Sequence, residues 1–288
     1  MAKSLCWSFR KMPCFMNNLT QRALTGVGLI VVIMTAVWLG AFYLAGLLLL
    51  INWLGLKEFY QLLEMPHTRP ARITAYLLSG CLILTCLIYS SGMGSWHWVL
   101  LNLPIGFSMF LTVLYQGRVK PFQKLAIAFL GIICISLPLC FFLVLPFLPG
   151  RDGGYHPEVP ASVFLMLWSN DTGAYLTGHL FGKHALFERI SPKKTWEGSA
   201  GGAIACLFTG YLLSRQYELL TTGQWEILAL IVITTGTYGD LIKSMLKRSV
   251  KVKDSGTILP GHGGILDRFD SLLGAASFIL IYLIIIWQ

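Results

Sequence analysis

Charge is what this sequence has least of. Only 12% of its 288 residues are Asp, Glu, Lys or Arg, about half the share of an ordinary soluble domain. That excludes a soluble enzyme of standard composition and a disordered chain, and a mean hydropathy of +0.67 agrees. Acids are scarcer still: 13 stand against 22 Lys and Arg, and in the first 150 residues the only ones are Glu58 and Glu64. The seven cysteines (Cys6, Cys14, Cys81, Cys86, Cys134, Cys140 and Cys206) contain no C-x-x-C pair, and most fall within apolar runs. They read as small buried hydrophobes in a reducing setting, which argues against a disulfide or zinc framework. There is no internal repeat and no stretch polar enough to form a separate soluble domain.

What the sequence does have is long apolar runs. A helix crossing the ~30 Å hydrocarbon core takes about 20 mostly apolar residues. Nine runs fit: 24–39, 41–60, 73–89, 96–115, 125–148, 161–181, 196–213, 225–245 and 265–287. The predicted fold class is therefore all-α, a polytopic integral membrane bundle of about nine transmembrane helices. The first two runs leave room for only a tight helical hairpin, and Pro138 and Pro146 predict a kink in the fifth. Placing the N-terminus inside puts 20 of the 22 cations in interior segments, with only Arg151 and Arg215 outside. Cytoplasmic loops are enriched in Lys and Arg, so this partition predicts a cytoplasmic N-terminus. It divides the chain into a cytoplasmic segment 1–23, N-terminal membrane helices 24–150 and a C-terminal membrane region 151–288. The N-terminal segment is too polar, and its first run too long and too closely followed by another, for a cleaved signal; residues 16–22 read like a natural start. The net charge of +9 belongs to topology and phosphate chemistry, and no nucleic-acid partner is expected.

The second half holds all six aspartates, four of them in or at the ends of apolar runs: Asp171, Asp240, Asp267 and Asp270. A carboxylate at membrane depth costs several kcal/mol unless it faces a wet cavity, a cation or a partner, so each is a functional candidate. Asp267 and Asp270 are three apart and share a helix face. Asp240, Lys243, Ser244 and Lys247 form one stripe that turns from acidic to basic. Carboxylates beside an oxygen-rich substrate suit Mg²⁺, a hard cation that one or two carboxylates and substrate phosphates hold; Lys and Arg clamp phosphate oxygens. In the 31 residues 240–270, Gly256, Pro260, Gly261, Gly263 and Gly264 form a loop leading into a helix. Glycines permit close backbone approach, and a helix N-terminus is a ready anion site. His262 is a candidate phosphate donor or proton carrier. Purely structural roles compete: Asp171 pairing with a cation in the bundle, Asp267 locked to Arg268 or Lys253, His262 an ordinary loop histidine. A transporter also carries acids in the membrane, but does not readily explain why cations and acids concentrate in one short stretch.

From Ser244 to Asp270 the chain resembles the signature of the phosphatidate cytidylyltransferase (CDP-diacylglycerol synthase) family: Ser244-x-hydrophobic-Lys247-Arg248, four residues, Lys253-Asp254-x-Gly256, two residues, Leu259-Pro260-x-His262-Gly263-Gly264, and Asp267-Arg268-Phe269-Asp270. More than a dozen fixed positions make this far more specific than a lone glycine motif. An upstream element fits as well: Asn170-Asp171-Thr172-Gly173-Ala174-Tyr175, Gly178, Phe181-Gly182-Lys183, then Ser191-Pro192-Lys193-Lys194-Thr195-Trp196-Glu197-Gly198. The N-terminal half matches only as a set of apolar runs.

The resemblance implies an integral enzyme of the inner or plasma membrane, its site facing the cytoplasm, joining CTP and phosphatidic acid to give CDP-diacylglycerol and pyrophosphate. It implies Mg²⁺ on Asp240, Asp267 and Asp270, with a second cation allowed. Lys247, Arg248, Lys253, His262 and Arg268 are then the expected catalytic set, and Lys193, Lys194, Ser244, Gly263, Gly264 and Asp171 the substrate-binding set. It also implies a homodimer among membrane lipids, with Gly178-xxx-Gly182 and Gly198-xxx-Gly202 as close-packing elements. The competing functions are a CTP-dependent polyprenol or dolichol kinase and an ion- or lipid-coupled transporter. A P-loop kinase is excluded, because the run from Gly178 to Lys183 is one residue short of that spacing and no Ser or Thr follows.

Overall fold

The structure, a computed structural model, describes residues 18–63, 69–116, 120–149, 154–252, 255–256 and 263–287. The start expected near Met16, and the candidates Lys253 and His262, lie outside the described residues. Helices α1 (Asn18–Leu39) and α2 (Ala41–Leu62) are separated by Gly40 alone. Its φ of 117° lies where a side chain is strained, so glycine makes this one-residue connection feasible. After α3 (Arg69–Ser90), a 3₁₀ turn (Trp96–Leu101) leads into α4 (Asn102–Gln116). The run predicted to kink contains α5 (Pro121–Gly131), a π-helical segment (Ile132–Ser136), α6 (Leu137–Val144) and a 3₁₀ turn (Leu145–Phe147). The hydrogen-bond ladder changes type just before Pro138 and again at Pro146, neither of which has an N–H to continue it. Then come α7 (Glu158–Phe181), a short antiparallel hairpin of β1 (Ala185–Phe187) and β2 (Ser191–Thr195), α8 (Trp196–Gln216), α9 (Thr222–Ser249) and α10 (Leu266–Trp287).

Each of the nine apolar runs is helical, and six stretches are long and apolar enough to cross a membrane: Ala41–Leu62, Ala71–Ser90, Trp96–Tyr115, Pro121–Phe147, Thr222–Ser249 and Leu266–Trp287. Leu24–Leu39 is a shorter apolar stretch. Helices α7 and α8 fall outside that group because glycine, serine and threonine dilute them. Large apolar side chains such as Phe42, Leu103, Ile204 and Ile285 point outward and are more than half exposed. Lipid, rather than water, is the solvent that makes such a surface stable. The chain is an α-helical polytopic membrane protein, with one β-hairpin that the periodicity did not announce.

Polar side chains knit the N-terminal half. Asn52 on α2 donates to Ser79 on α3 at 3.0 Å and accepts from Ser136 of the π segment at 2.7 Å. Small residues do the equivalent work in the C-terminal half. A Cβ on Gly202 would sit 2.6 Å from the Asn170 carbonyl, and one on Gly198 2.9 Å from that of Ala174. Helices α7 and α8 therefore meet backbone to backbone, as small-residue seams allow. Gly178, Gly198 and Gly202, expected on a dimer contact, are instead committed to packing within the chain.

Candidate active site

Two close approaches build the site. The first is the α7–α8 seam. Beyond it the chain turns through the hairpin, and Glu197 in the first turn of α8 fixes the hairpin's base. Its Oε2 accepts from the N–H groups of Lys183 (3.1 Å) and His184 (3.2 Å), and its Oε1 lies 2.6 Å from His184 Nδ1. Thr195 caps α8 by accepting from Gly198 N at 3.1 Å. Strand β2 is thereby held beside the seam, carrying exposed Lys193 and half-buried Lys194. A cavity of about 730 Å³ opens there, lined by Asn170, Asp171 and Tyr175 of α7, Lys193 and Lys194 of β2, Ser199 of α8, and Thr237 and Asp240 of α9. Lys194 reaches across it to form an ion pair with Asp240.

The second approach is α9 on α10. A Cβ on Gly239 would lie 2.7 Å from Gly274 Cα and 2.9 Å from the Asp270 carbonyl. With no side chain in the way, residue 240 is brought against residue 270, and the two carboxylates interact directly. Asp171 is within electrostatic reach of Asp240, Lys194 and Arg268. Ser244, one turn beyond Asp240, donates to its Oδ1 at 3.3 Å.

Asp267 is differently employed. Its Oδ1 receives Lys247 Nζ at 2.7 Å, while its Oδ2 accepts from Ser255 N (3.0 Å), Ser255 Oγ (3.1 Å) and Gly264 N (3.1 Å). Glu58 on α2 completes the arrangement; the sequence marks it only as one of two acids in the first 150 residues, near a helix end. It is buried; Oε1 accepts from Ile265 N at 2.8 Å and Oε2 from Leu266 N at 3.0 Å, and the single Ser255 hydroxyl proton is shared between Oε2 and Asp267 Oδ2, each 3.1 Å from Oγ. The anion expected at this helix N-terminus is thus supplied by the protein itself. The glycines are there to make room: a Cβ on Gly256 would lie 2.8 Å from Glu58 Oε1, and one on Gly264 2.5 Å from Oε2. Gly263 has φ 83°. Arg248, expected in the catalytic set, is exposed and donates to the Ile190 carbonyl at 3.3 Å, tying the end of α9 to the hairpin turn.

The donor set suits a divalent cation as half a site. Asp240 and Asp270 meet at the α9–α10 crossing, and Mg²⁺ is characteristically held by one or two carboxylates with substrate phosphates supplying further oxygens. Among the described residues, no three acidic, histidine or cysteine side chains are arranged to hold a metal by themselves.

Acids and lysines converging on one cavity in a helical membrane bundle define a membrane enzyme equipped to handle phosphates. The sequence profile of the cytidylyltransferase family matches residues 20–286, and the chain belongs to that family. It is 32% identical over 275 residues to a phosphatidate cytidylyltransferase of Brucella suis, covering 93% of this chain and 94% of the relative. It is 34% identical over 271 residues to one from Staphylococcus haemolyticus (91% and 98% covered) and 31% identical over 289 residues to one from Haemophilus influenzae (90% and 96% covered). The match runs through the N-terminal helices as well as the C-terminal motifs.

Proposed function

We propose that this chain is a phosphatidate cytidylyltransferase of the bacterial inner or plasma membrane, converting CTP and phosphatidic acid to CDP-diacylglycerol and pyrophosphate. The observation that carries the reading is the cavity wall itself, where Lys193, Lys194, Asp171 and Asp240 stand together beside Asp270. A phosphomonoester oxygen of phosphatidic acid attacks the α-phosphorus of CTP; a new O–P bond forms, the α–β bridging bond breaks, and pyrophosphate leaves. With a second phosphate pKa near ~6, the nucleophile is already anionic, so no strong base is required. The task is to hold two polyanions together and to stabilise charge as it moves.

Each residue group has a part in that task. Asp240 and Asp270 would hold Mg²⁺, which would supply charge neutralisation of phosphate oxygens. Lys194 exchanges its bond with Asp240 for phosphate when substrate enters, and Lys193 attracts the incoming polyanion. Lys247 and Arg268 offset the negative charge at the inner end of the site. Asp267 and Glu58 pin the loop leading into α10 and so fix where Asp270 stands. Nine crossings with the N-terminus in the cytoplasm set the cavity at headgroup level on the cytoplasmic side, where a lipid phosphate and a soluble nucleotide both have access.

The deciding experiment uses purified protein in detergent with CTP labelled at the α- or the γ-phosphate. A cytidylyltransferase moves the α-label into lipid and releases the γ-label as pyrophosphate. Transfer of the γ-label to lipid would make the chain a kinase instead, and movement of lipid without pyrophosphate would make it a transporter.

A further inference from the structure

Lys243 lies on the same face of α9 as Gly236, Gly239 and Asp240, and that face meets α10. Gly236 faces Ser271, and Gly239 faces Gly274 and the Asp270 carbonyl. One turn further on, this row delivers Lys243 to the first turn of α10. Its Nζ is buried there and makes no hydrogen bond. The charged groups around it are Asp270 and Asp267 of α10 and Lys247 of its own helix, and Cys134 of the π segment lies nearby. Two lysines of the site are committed, Lys194 to Asp240 and Lys247 to Asp267, and Lys193 is exposed on the cavity wall. Lys243 does not line the cavity, so a contact with phosphate does not explain it.

A buried ammonium without a hydrogen-bond partner is costly. It is tolerable where neighbouring negative charge exceeds neighbouring positive charge. The meeting of Asp240 and Asp270 creates such a place, and only one of those carboxylates has Lys194. Sites that gather several carboxylates around phosphoryl chemistry commonly balance them with two metal ions.

We propose that the Lys243 ammonium is a tethered counter-cation of the carboxylate cluster, standing in for a second metal ion, so that the site takes a single divalent cation. This rests on the proposed Mg²⁺ site and makes Lys243 a positioning residue, acting through Asp270 and Asp267 without touching substrate. The charge also sets affinity. A fixed positive charge about 6 Å from an incoming Mg²⁺ weakens its binding about ten-fold even when screened as in bulk water, and more where the site is drier; removing it strengthens binding at least ten-fold.

The test is titration of the full-length protein in detergent with Mn²⁺, followed by electron paramagnetic resonance in the presence of saturating pyrophosphate, which supplies the phosphate oxygens the half-site lacks; the protein-free Mn²⁺–pyrophosphate signal is subtracted. Wild type, K243M, K243R and D240N are compared. The expected result is one Mn²⁺ per wild-type chain, lost in D240N. K243M should bind Mn²⁺ at least ten-fold more tightly or take up a second ion, whereas K243R, which keeps the charge, should match wild type. A wild type with two ions at this cluster overturns the proposal, as does a K243M that matches wild type in both affinity and number. If K243M fails to fold, K243Q carries the same prediction, and a wild-type count of two is decisive by itself. A wild type that binds no Mn²⁺ overturns the metal site, and the role of Lys243 with it.

Discussion

Glu58 is the residue whose position the surrounding chain makes hardest to replace. Its two oxygens satisfy two backbone N–H groups at the start of α10 and share one hydroxyl of the preceding loop with Asp267. Hydrogen bonds to a charged acceptor contribute about 1.5–3 kcal/mol each, and an N–H left unpaired here has no water to turn to. E58Q should therefore lower stability by about 2–3 kcal/mol, read as thermal unfolding in detergent, and reduce turnover at least ten-fold by releasing the loop that places Asp270. E58D, with its shorter reach, should recover part of the activity; an E58Q enzyme with wild-type turnover would remove Glu58 from this role. Asp240 and Asp267 should part company in the same assay. D240N should lose turnover by about 100-fold or more with little change in unfolding temperature, since it loses a charge that faces an open cavity. D267N should lose both, because its oxygens hold Lys247, Ser255 and Gly264.

Among elements, the crossing of α9 and α10 governs the site. A Cβ on Gly274 would lie 2.5 Å from Gly239 Cα and 2.8 Å from the Thr235 carbonyl. Both are backbone atoms that cannot rotate away, so G274A must push the helices apart and separate Asp240 from Asp270. Turnover should fall at least ten-fold and the unfolding temperature should drop. G46A is the control: nothing lies within 4 Å of a Cβ there, and alanine is the better helix former by about 1 kcal/mol, so stability should hold or rise. Equal losses in the two variants would show that the crossing is not special. The legibility of the sequence divides along the same line. Apolar runs long enough to be helices were legible because lipid leaves a backbone few other ways to satisfy its hydrogen bonds. Asp171 and Asp240 were legible because a charge within such a run needs a reason. The pairing of Gly239 with Gly274 was not, since a glycine announces space without saying what fills it. Neither was the hairpin, three and five residues per strand, whose stability comes from Glu197 rather than from alternation. Asp267 was legible as an important acid, but its tie to the loop depends on contacts that spacing does not encode.

The molecule as a whole joins two unlike halves. The N-terminal helices contribute Glu58 and a core built on polar links such as Asn52 with Ser79 and Ser136; the C-terminal helices contribute the cavity. Glycines of α7 and α8 are used inside the chain, so a second copy would have to dock elsewhere. The proposed topology of nine crossings makes a prediction about sides. The hairpin turn at Glu188 and the α8–α9 connection at Glu218 should face opposite compartments. In oriented vesicles, with native thiols blocked beforehand, a membrane-impermeant maleimide should label E188C only from the cytoplasmic side and E218C only from the other. Labelling of both from one side would mean that α8 does not cross.

The most direct measurement is pyrophosphate release from CTP by the purified protein, with and without phosphatidic acid and Mg²⁺, in wild type and D240N. Release should require both the lipid and the ion, and should fall by about 100-fold or more in D240N. Release that ignores phosphatidic acid, or a D240N protein that retains wild-type turnover, would contradict the assignment of this cavity to cytidylyl transfer.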